Sequence, residues 1–418
     1  MAAAVTAVQA GHQVTVYEAG RILGGRARAL QGTLPDGTNA MLDNGQHILI
    51  GAYSEALRLM ELVGIDLELA LLRLPLRMVF PDGGGLQFPR WPAPLDALAG
   101  IALARGWTLA DKAGLLRQAV HWRRGGFRCP GATSVADLCS GLTPTVLAEL
   151  IEPLCVSALN IAPRQASGQV FLRVLQDAMF GGRGASHLLL PRTDLSALFP
   201  EAAARWVSAR GAQIRAKMRA VLRPAQGSAW RVDDTEFDQV VLATTAPEAA
   251  RLVDTACAEL PPPDRQRAQQ WVATAQALQH TAITTVYAWA AGAALAHPLM
   301  ALRGQADAAT PCPAQFVFDR GQLGGPTGLL AFVVSASSAD RDTAQHQVLR
   351  QARAQLGLSL TAVQTVVEKR ATFACTPGLR RPAMQILPGL RASGDYVTGP
   401  YPATLEAAVR AGVAAIRS

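Results

Sequence analysis

Three short stretches hold the side chains with the most chemical content. The first is "TVYEAGRILGGRARAL". Glu18 ends a run of strand-forming residues, where a carboxylate can accept hydrogen bonds from both hydroxyls of a ribose; an ordinary strand-end acid paired with Arg21 or Arg26 would look the same. Gly24 and Gly25 follow, and a backbone without Cβ atoms can approach a phosphate closely. Arg26 and Arg28 come at once and can offset pyrophosphate charge. The second stretch is "MLDNGQHILIG". Asp43, Asn44 and Gly45 read as a turn, with Gln46 and His47 beside it offering amide and imidazole groups to a planar ligand. A lone histidine there equally suits a hydrogen-bonded core position. The third is "SGDYVTGPYPATLEAAV". Asp395 follows Gly394 at the end of a strand, and a helix starts near Thr404, Leu405 and Glu406. The free N–H groups and positive dipole end of that helix favour negative charge.

These stretches need elements to hold them. A helix from the first residue ends at Gly11 and leads into the strand bearing Glu18. Ser54 precedes apolar residues at helical spacing up to Gly64, a start and a stop in the expected places. From about 75 to 185, Pro and Gly punctuate Ala/Leu-rich helical stretches such as "LDALAGIALA", "LADKAGLLRQAVHW" and "TVLAELIEPLCVSALN". From 195 the α/β character returns, and "FDQVVLATTAP" has the apolar run of a buried parallel strand. The stretches "AITTVYAWA" and "GLLAFVVSAS" read as further strands. The pattern predicts an α/β chain of two discontinuous domains. Residues 1–74, 186–249 and 366–418 form a Rossmann-like nucleotide-binding domain, and 75–185 with 250–365 form an α+β substrate domain.

Composition narrows the function. The chain has 418 residues, half of them hydrophobic and 17% charged, which suits two folded cores rather than disorder. The formal net charge is +8, and the only lysines are Lys112, Lys217 and Lys369. The arginine excess can serve phosphate or anionic lipid, or can simply solvate the surface. No basic helix interleaved with aromatics marks a nucleic-acid module. The cysteines at 129, 139, 155, 257, 312 and 375 lack C-x-x-C or metal spacing, as expected of reduced cytosolic thiols, and no metal is expected. No apolar run reaches the roughly 20 uncharged residues of a membrane span, and the first residues lack a signal peptide's basic start.

Together the three stretches resemble the flavin-dependent amine oxidase and carotenoid desaturase superfamily. Closer in, "LDNGQHILIGAYSEALRLMELVG" and "VSALNIAPRQASGQVFLRVLQDAMFGGRGASHLLLPRTDLSALFP" are similar to the hydroxysqualene dehydroxylase family, flavoproteins of hopanoid biosynthesis. The likeness covers essentially the whole chain. It implies non-covalent FAD, with Glu18 at the ribose and Gly24, Gly25 and Arg26 near the pyrophosphate and ribityl chain. Gly45 and Gln46 would flank the isoalloxazine, and Val221 would meet adenine through its backbone. Gly394, Asp395 and the Thr404–Leu405–Glu406 helix start would hold the ribityl chain and the pyrimidine edge. Cys375 does not match a covalent flavin-cysteine motif. Family members open with a strand and G-x-G-x-x-G, and Met1 falls just after the last of those glycines. A sheet short of its first strand is therefore expected, with Met1 near its centre.

The resemblance implies replacement of an allylic hydroxyl of a long isoprenoid by hydride from reduced flavin. Such a reaction needs a general acid, and His47, Tyr401 and Tyr396 are the candidates near cofactor segments. A phytoene-type desaturase and a cofactor-free isoprenoid-binding protein are the competing readings. The expected partners are a long apolar substrate and an unidentified electron donor. The expected location is cytoplasmic, with peripheral membrane contact through "LDALAGIALARGWTLADKAGLLRQAVHWRR", which has the Leu/Trp content and basic end of an interfacial segment.

Overall fold

The computed structural model describes residues 1–304 and 311–417. Helix Ala2–Gln9 stops at Gly11, whose φ of +83° suits glycine, and the chain turns into strand Thr15–Glu18. That strand pairs in parallel with Gln213–Ala216, Glu18 lying opposite Ala216. A second parallel pair joins Val240–Leu242 to Leu390–Ala392, with Gln385–Leu387 antiparallel beside it. Among the described residues these two pieces share no ladder. Met1 is half-buried and packs on the same apolar cluster as Val14, Val16 and Ile214 of the first parallel pair and its approach. Helix Ala2–Gln9 packs on the last helix, Leu405–Arg417, at Gly412. A Cβ at Gly412 would come within 2.9 Å of the Ala3 nitrogen, so only glycine lets the two backbones meet.

The larger sheet is antiparallel, in the order Leu299–Ala301, Phe316–Asp319, Leu329–Ser337, His280–Trp289, Thr361–Phe373. Alternation along its strands sends two sets of side chains to two places. Val317, Phe332 and Val334 pack against Val348 and Ala352 of helix Arg341–Leu356. Phe316, Phe318 and Val333 line an interior cavity on the opposite face.

Helices Leu95–Leu103, Leu109–Arg124 and Gly168–Phe180 close the cavity from the other side. Helix Leu109–Arg124 starts at a capping box. The Thr108 hydroxyl accepts from the Asp111 N–H, and the Asp111 carboxylate accepts from the Thr108 N–H. The segment predicted as one helix over "TVLAELIEPLCVSALN" is instead Pro144–Val146, a π turn Leu147–Ile151 and helix Glu152–Leu159. Pro153 lacks the N–H that would continue the regular ladder, and the wider turn absorbs the gap. Among the described residues, no helix is long and apolar enough to cross a membrane, and no group of three or more His, Cys, Asp and Glu is placed to hold a metal.

Candidate active site

The cavity measures about 420 Å³. One end is polar, lined by Arg26, Asn44, Gln46, His47, Asp395 and Thr404. The remainder is mainly apolar, with Leu76, Phe88, Ile101, Trp122, Leu150 and Phe318 among its walls and a few polar residues such as Asn160, Asp177 and Ser335 between them.

The turn 43–47 is pinned from behind. Tyr287, fully buried, donates its hydroxyl to the Asp43 carbonyl at 3.0 Å and accepts from the Asp43 N–H at 3.1 Å. The Asp43 carboxylate accepts from the Leu195 N–H at 2.8 Å, at the start of helix Leu195–Leu198. Its other oxygen faces Arg320 at 3.9 Å. Arg320 in turn donates to the Gln46 Oε1 at 3.3 Å, which leaves the buried Gln46 Nε2 without a partner on the cavity wall. Asn44 donates to Glu368 at 2.9 Å and accepts from Arg28 at 3.2 Å. The His47 Nδ1 lies 2.6 Å from the Gly45 carbonyl. A carbonyl only accepts, so Nδ1 carries the hydrogen and Nε2 is the bare acceptor. Burial pushes His47 below the usual imidazole range, which keeps it neutral near pH 7.

Burial also raises Asp43 from 3.8 to about 6, against the N–H of Leu195 and the charge of Arg320. Because the folded value lies above the unfolded one, folding favours the protonated acid. The cost of the charged form is absent below about pH 4, grows between about 4 and 6, and is fully present above. Asp43→Asn keeps an acceptor for Leu195 and removes that cost. Relative to the parent, the variant is expected to gain up to about 3 kcal/mol above pH 6 and nothing near pH 4, at about 1.36 kcal/mol per pH unit between the two values. Urea unfolding at several pH values measures it; a difference independent of pH would contradict the argument.

The opposite wall comes from the chain's last segment. Arg26 and Asp395 form an ion pair at 2.8 Å, and Arg26 also donates to the carbonyls of Arg370 and Ala371. The Thr404 hydroxyl accepts from the Ala407 N–H at 3.0 Å and caps helix Leu405–Arg417. Tyr401 lies between two guanidinium groups, Arg173 at 5.2 Å and Arg410 at 5.0 Å from its ring centre. Arg173 also donates to the Tyr401 hydroxyl oxygen at 3.3 Å and is held by Asp177 at 2.6 Å.

The structure thus brings Arg26, Gly45, Gln46, His47, Asp395, Tyr401, Thr404 and Leu405 to one cavity. Glu18, Gly24, Gly25, Val221, Gly394 and Tyr396 lie outside it. The Glu18 carboxylate accepts from the Gly20 N–H at 2.6 Å. Gly24 is required by its own turn: φ is +105°, and a Cβ would fall 2.4 Å from the Ala27 carbonyl oxygen. Gly25 has φ of +60° with open space where a Cβ would sit. Three of the expected residues have other partners in this structure. The Val221 N–H donates to Asp233 and its carbonyl accepts from the Asp233 N–H, so an adenine would have to displace Asp233 or use the carbonyl's second lone pair. Glu406 is fully buried and turned away from the cavity, accepting from the N–H groups of Glu55 and Ala56. Tyr396 is buried against Gly394 rather than exposed to the cavity. Cys375 is buried, and its thiol is pushed up to about 12.

Arg173, Tyr287 and Arg320 were not among the expected site residues. Only Arg173 carries a local signal, its i,i+4 partner Asp177; the others reach the site through the antiparallel sheet and the segment after it.

A flavin fits this wall. The unpartnered Gln46 Nε2 is a buried donor that a ligand carbonyl could satisfy. The Arg26 and Asp395 side chains and the first turn of helix Leu405–Arg417 offer polar groups at one edge, while the neighbouring wall is apolar. Sequence comparison places the chain in the same frame. The family of flavin containing amine oxidoreductases matches residues 1–416. A hydroxysqualene dehydroxylase of Rhodopseudomonas palustris is 28% identical over 442 residues, covering 99% of this chain and 94% of that protein. One of Sinorhizobium fredii is 26% identical over 435 residues with the same coverage. Among solved structures, an oxidoreductase from Methanosarcina mazei superposes with a TM-score of 0.69 at 16% identity, covering 100% of this chain and 97% of that one. The chain belongs to the flavin containing amine oxidoreductase family and is an FAD-dependent oxidoreductase.

Proposed function

We propose that the protein replaces the hydroxyl of a hydroxysqualene-like isoprenoid with hydrogen, giving squalene and water. The observation that carries the reading is the division of the cavity: a polar end that suits a flavin, an apolar remainder that suits a long hydrocarbon, and the Tyr401 hydroxyl on its wall. The names of the relatives, hydroxysqualene dehydroxylases of two bacteria, support the same substrate. When bound and reduced, FAD supplies the hydride and its electron pair.

The chain's own residues do the rest. Arg26, Gln46, Asp395, Thr404 and Leu405 would hold the flavin and orient it, with Gly45 beside the ring. Glu18, Gly24 and Gly25 would serve the nucleotide end. The C–O bond breaks with its electron pair on oxygen, and that oxygen needs a proton to leave as water. Arg173 occupies a lone pair of the Tyr401 oxygen, so the phenol hydrogen is the one Tyr401 can present to the cavity. The apolar walls exclude water from the carbon that loses its hydroxyl. His47 is neutral and its one N–H is spent on Gly45, so it acts as wall rather than acid. His47→Gln is therefore expected to lower kcat by less than about tenfold, below the usual range for loss of an acid, as steady-state turnover would register.

The reading is tested by incubating FAD-loaded protein with hydroxysqualene under reducing conditions and with phytoene under oxidising ones. Squalene formation is expected. Phytoene desaturation without squalene would replace this reading with a desaturase, and failure to retain flavin would point to a binding protein.

A further inference from the structure

We propose that the outer face of helices Leu95–Leu103 and Leu109–Arg124 docks on an anionic lipid bilayer, so that substrate passes from the membrane into the cavity beneath it. The inference rests on the reading of an apolar, water-insoluble substrate, but its first observation is independent of chemistry. Helix Leu95–Leu103 has two apolar faces, and Leu109, the first residue of the next helix, extends the outer one. Ile101, Leu115 and Trp122 point inward and line the cavity. Leu95, Leu98, Leu103 and Leu109 point outward, Leu103 being 70% and Leu109 84% exposed, with Trp91 alongside at 56%. Soluble helices of this kind normally carry a polar outer face. Large apolar residues clustered on the surface mark an interaction site, whereas scattered ones do not.

Within the segment itself the exposed charges are all of one sign, and the neighbouring acids Asp82 and Glu149 are paired with Arg303. Between residues 90 and 128 the basic residues are Arg90, Arg105, Lys112, Arg117, Arg123, Arg124 and Arg128. The only acids are Asp96 and Asp111, and both are buried. Asp111 is consumed by the capping box and by Thr143, and Asp96 accepts from the Ala97 N–H. Exposed leucines and a tryptophan within a rim of cations fit the boundary between acyl chains and anionic headgroups, where cations add about 1 kcal/mol each near the surface. A protein partner would need a complementary shape; a bilayer needs only this apolar centre and basic rim. The Lys112 ammonium donates to the Ala102 carbonyl at 2.9 Å and ties the two helices into one surface.

The experiment is flotation of FAD-loaded protein with vesicles of phosphatidylcholine alone and of phosphatidylcholine mixed with phosphatidylglycerol. Binding to the mixed vesicles is expected, weakening with added salt. The double variant Leu103→Asp with Leu109→Asp should bind at least about tenfold less, as expected for withdrawing two leucines from an apolar phase. Its flavin absorbance, melting temperature and turnover of detergent-dispersed substrate should match the parent. Equal binding of parent and variant, or none to either vesicle, would overturn the proposal. So would a dimer in light scattering that the double variant dissociates, because a second copy would then be the occupant. Flotation requires no turnover, so failure of the substrate reading leaves this result interpretable.

Discussion

Tyr401→Phe is expected to slow turnover of the hydroxylated isoprenoid by about 10²–10³-fold, the range for loss of a positioned general acid. FAD should remain bound. The change removes one oxygen and keeps the ring, so the stacking of Arg173 and Arg410 on it survives, and so does the Arg173–Asp177 pair. The cavity wall keeps its shape, and KM should move little, because the lost interaction acts mainly as the C–O bond breaks. The split between kcat and KM separates an acid from a residue that merely shapes the pocket. Single-turnover reduction of substrate by pre-reduced protein measures the chemical step directly. A Phe variant with parental kcat would remove Tyr401 from the mechanism. His47 would then be the next candidate, despite its bond to Gly45 and its neutral state.

Much of the local architecture was readable because it depends on neighbours in sequence. Gly11 and Gly64 end helices with positive φ, while Ser54, read as the start of a helix, is its first residue and caps nothing. "FDQVVLATTAP" yields the parallel strand Val240–Leu242, and the pair "GG" sits in a turn that requires it. The limits arise where the partner is distant. The sequence shows that Glu406 opens a helix, but not that this acid would face another helix's N-terminus 350 residues earlier. It shows Val221 in a basic stretch, but not Asp233 folding back to take both its backbone groups. Tyr287 reads as one aromatic in a strand, and only the register of His280–Trp289 between Leu329–Ser337 and Thr361–Phe373 carries its hydroxyl to Asp43. The polar end of the cavity is thus local in origin at 26 and 43–47. Its supporting Tyr287 and Arg320 are tertiary and leave no trace in periodicity, while Arg173 shows only its i,i+4 partner Asp177.

Glu406→Ala is expected to cost about 3–4 kcal/mol of stability and to weaken FAD retention at the same time. The carboxylate accepts from the N–H groups of Glu55 and Ala56 at 3.1 and 2.9 Å and from Arg410 at 2.6 Å. Those two N–H groups belong to the first turn of helix Ser54–Leu62, which has no side-chain cap of its own. Each donor left buried and unpaired costs about 1–3 kcal/mol, and an anion at a helix N-terminus contributes up to about 2 kcal/mol. Arg410 is partly exposed and can turn to water, so its loss adds little. The coupling to flavin follows from position. Ala52 and Tyr53 precede the capped helix, Thr404 and Leu405 precede Glu406 in the last helix, and all four line the cavity. Without the carboxylate, the side-chain tie left between these helices is the Arg410 guanidinium donating to the Ser54 hydroxyl at 2.9 Å. Glu406→Gln keeps one acceptor oxygen but turns an amide toward the second N–H, so it should lose about half as much. Urea unfolding gives the stabilities, and the fraction of FAD surviving gel filtration gives retention. A Glu406→Ala protein within about 1 kcal/mol of the parent would mean that water satisfies both N–H groups and that packing and the Arg410–Ser54 bond hold the two helices.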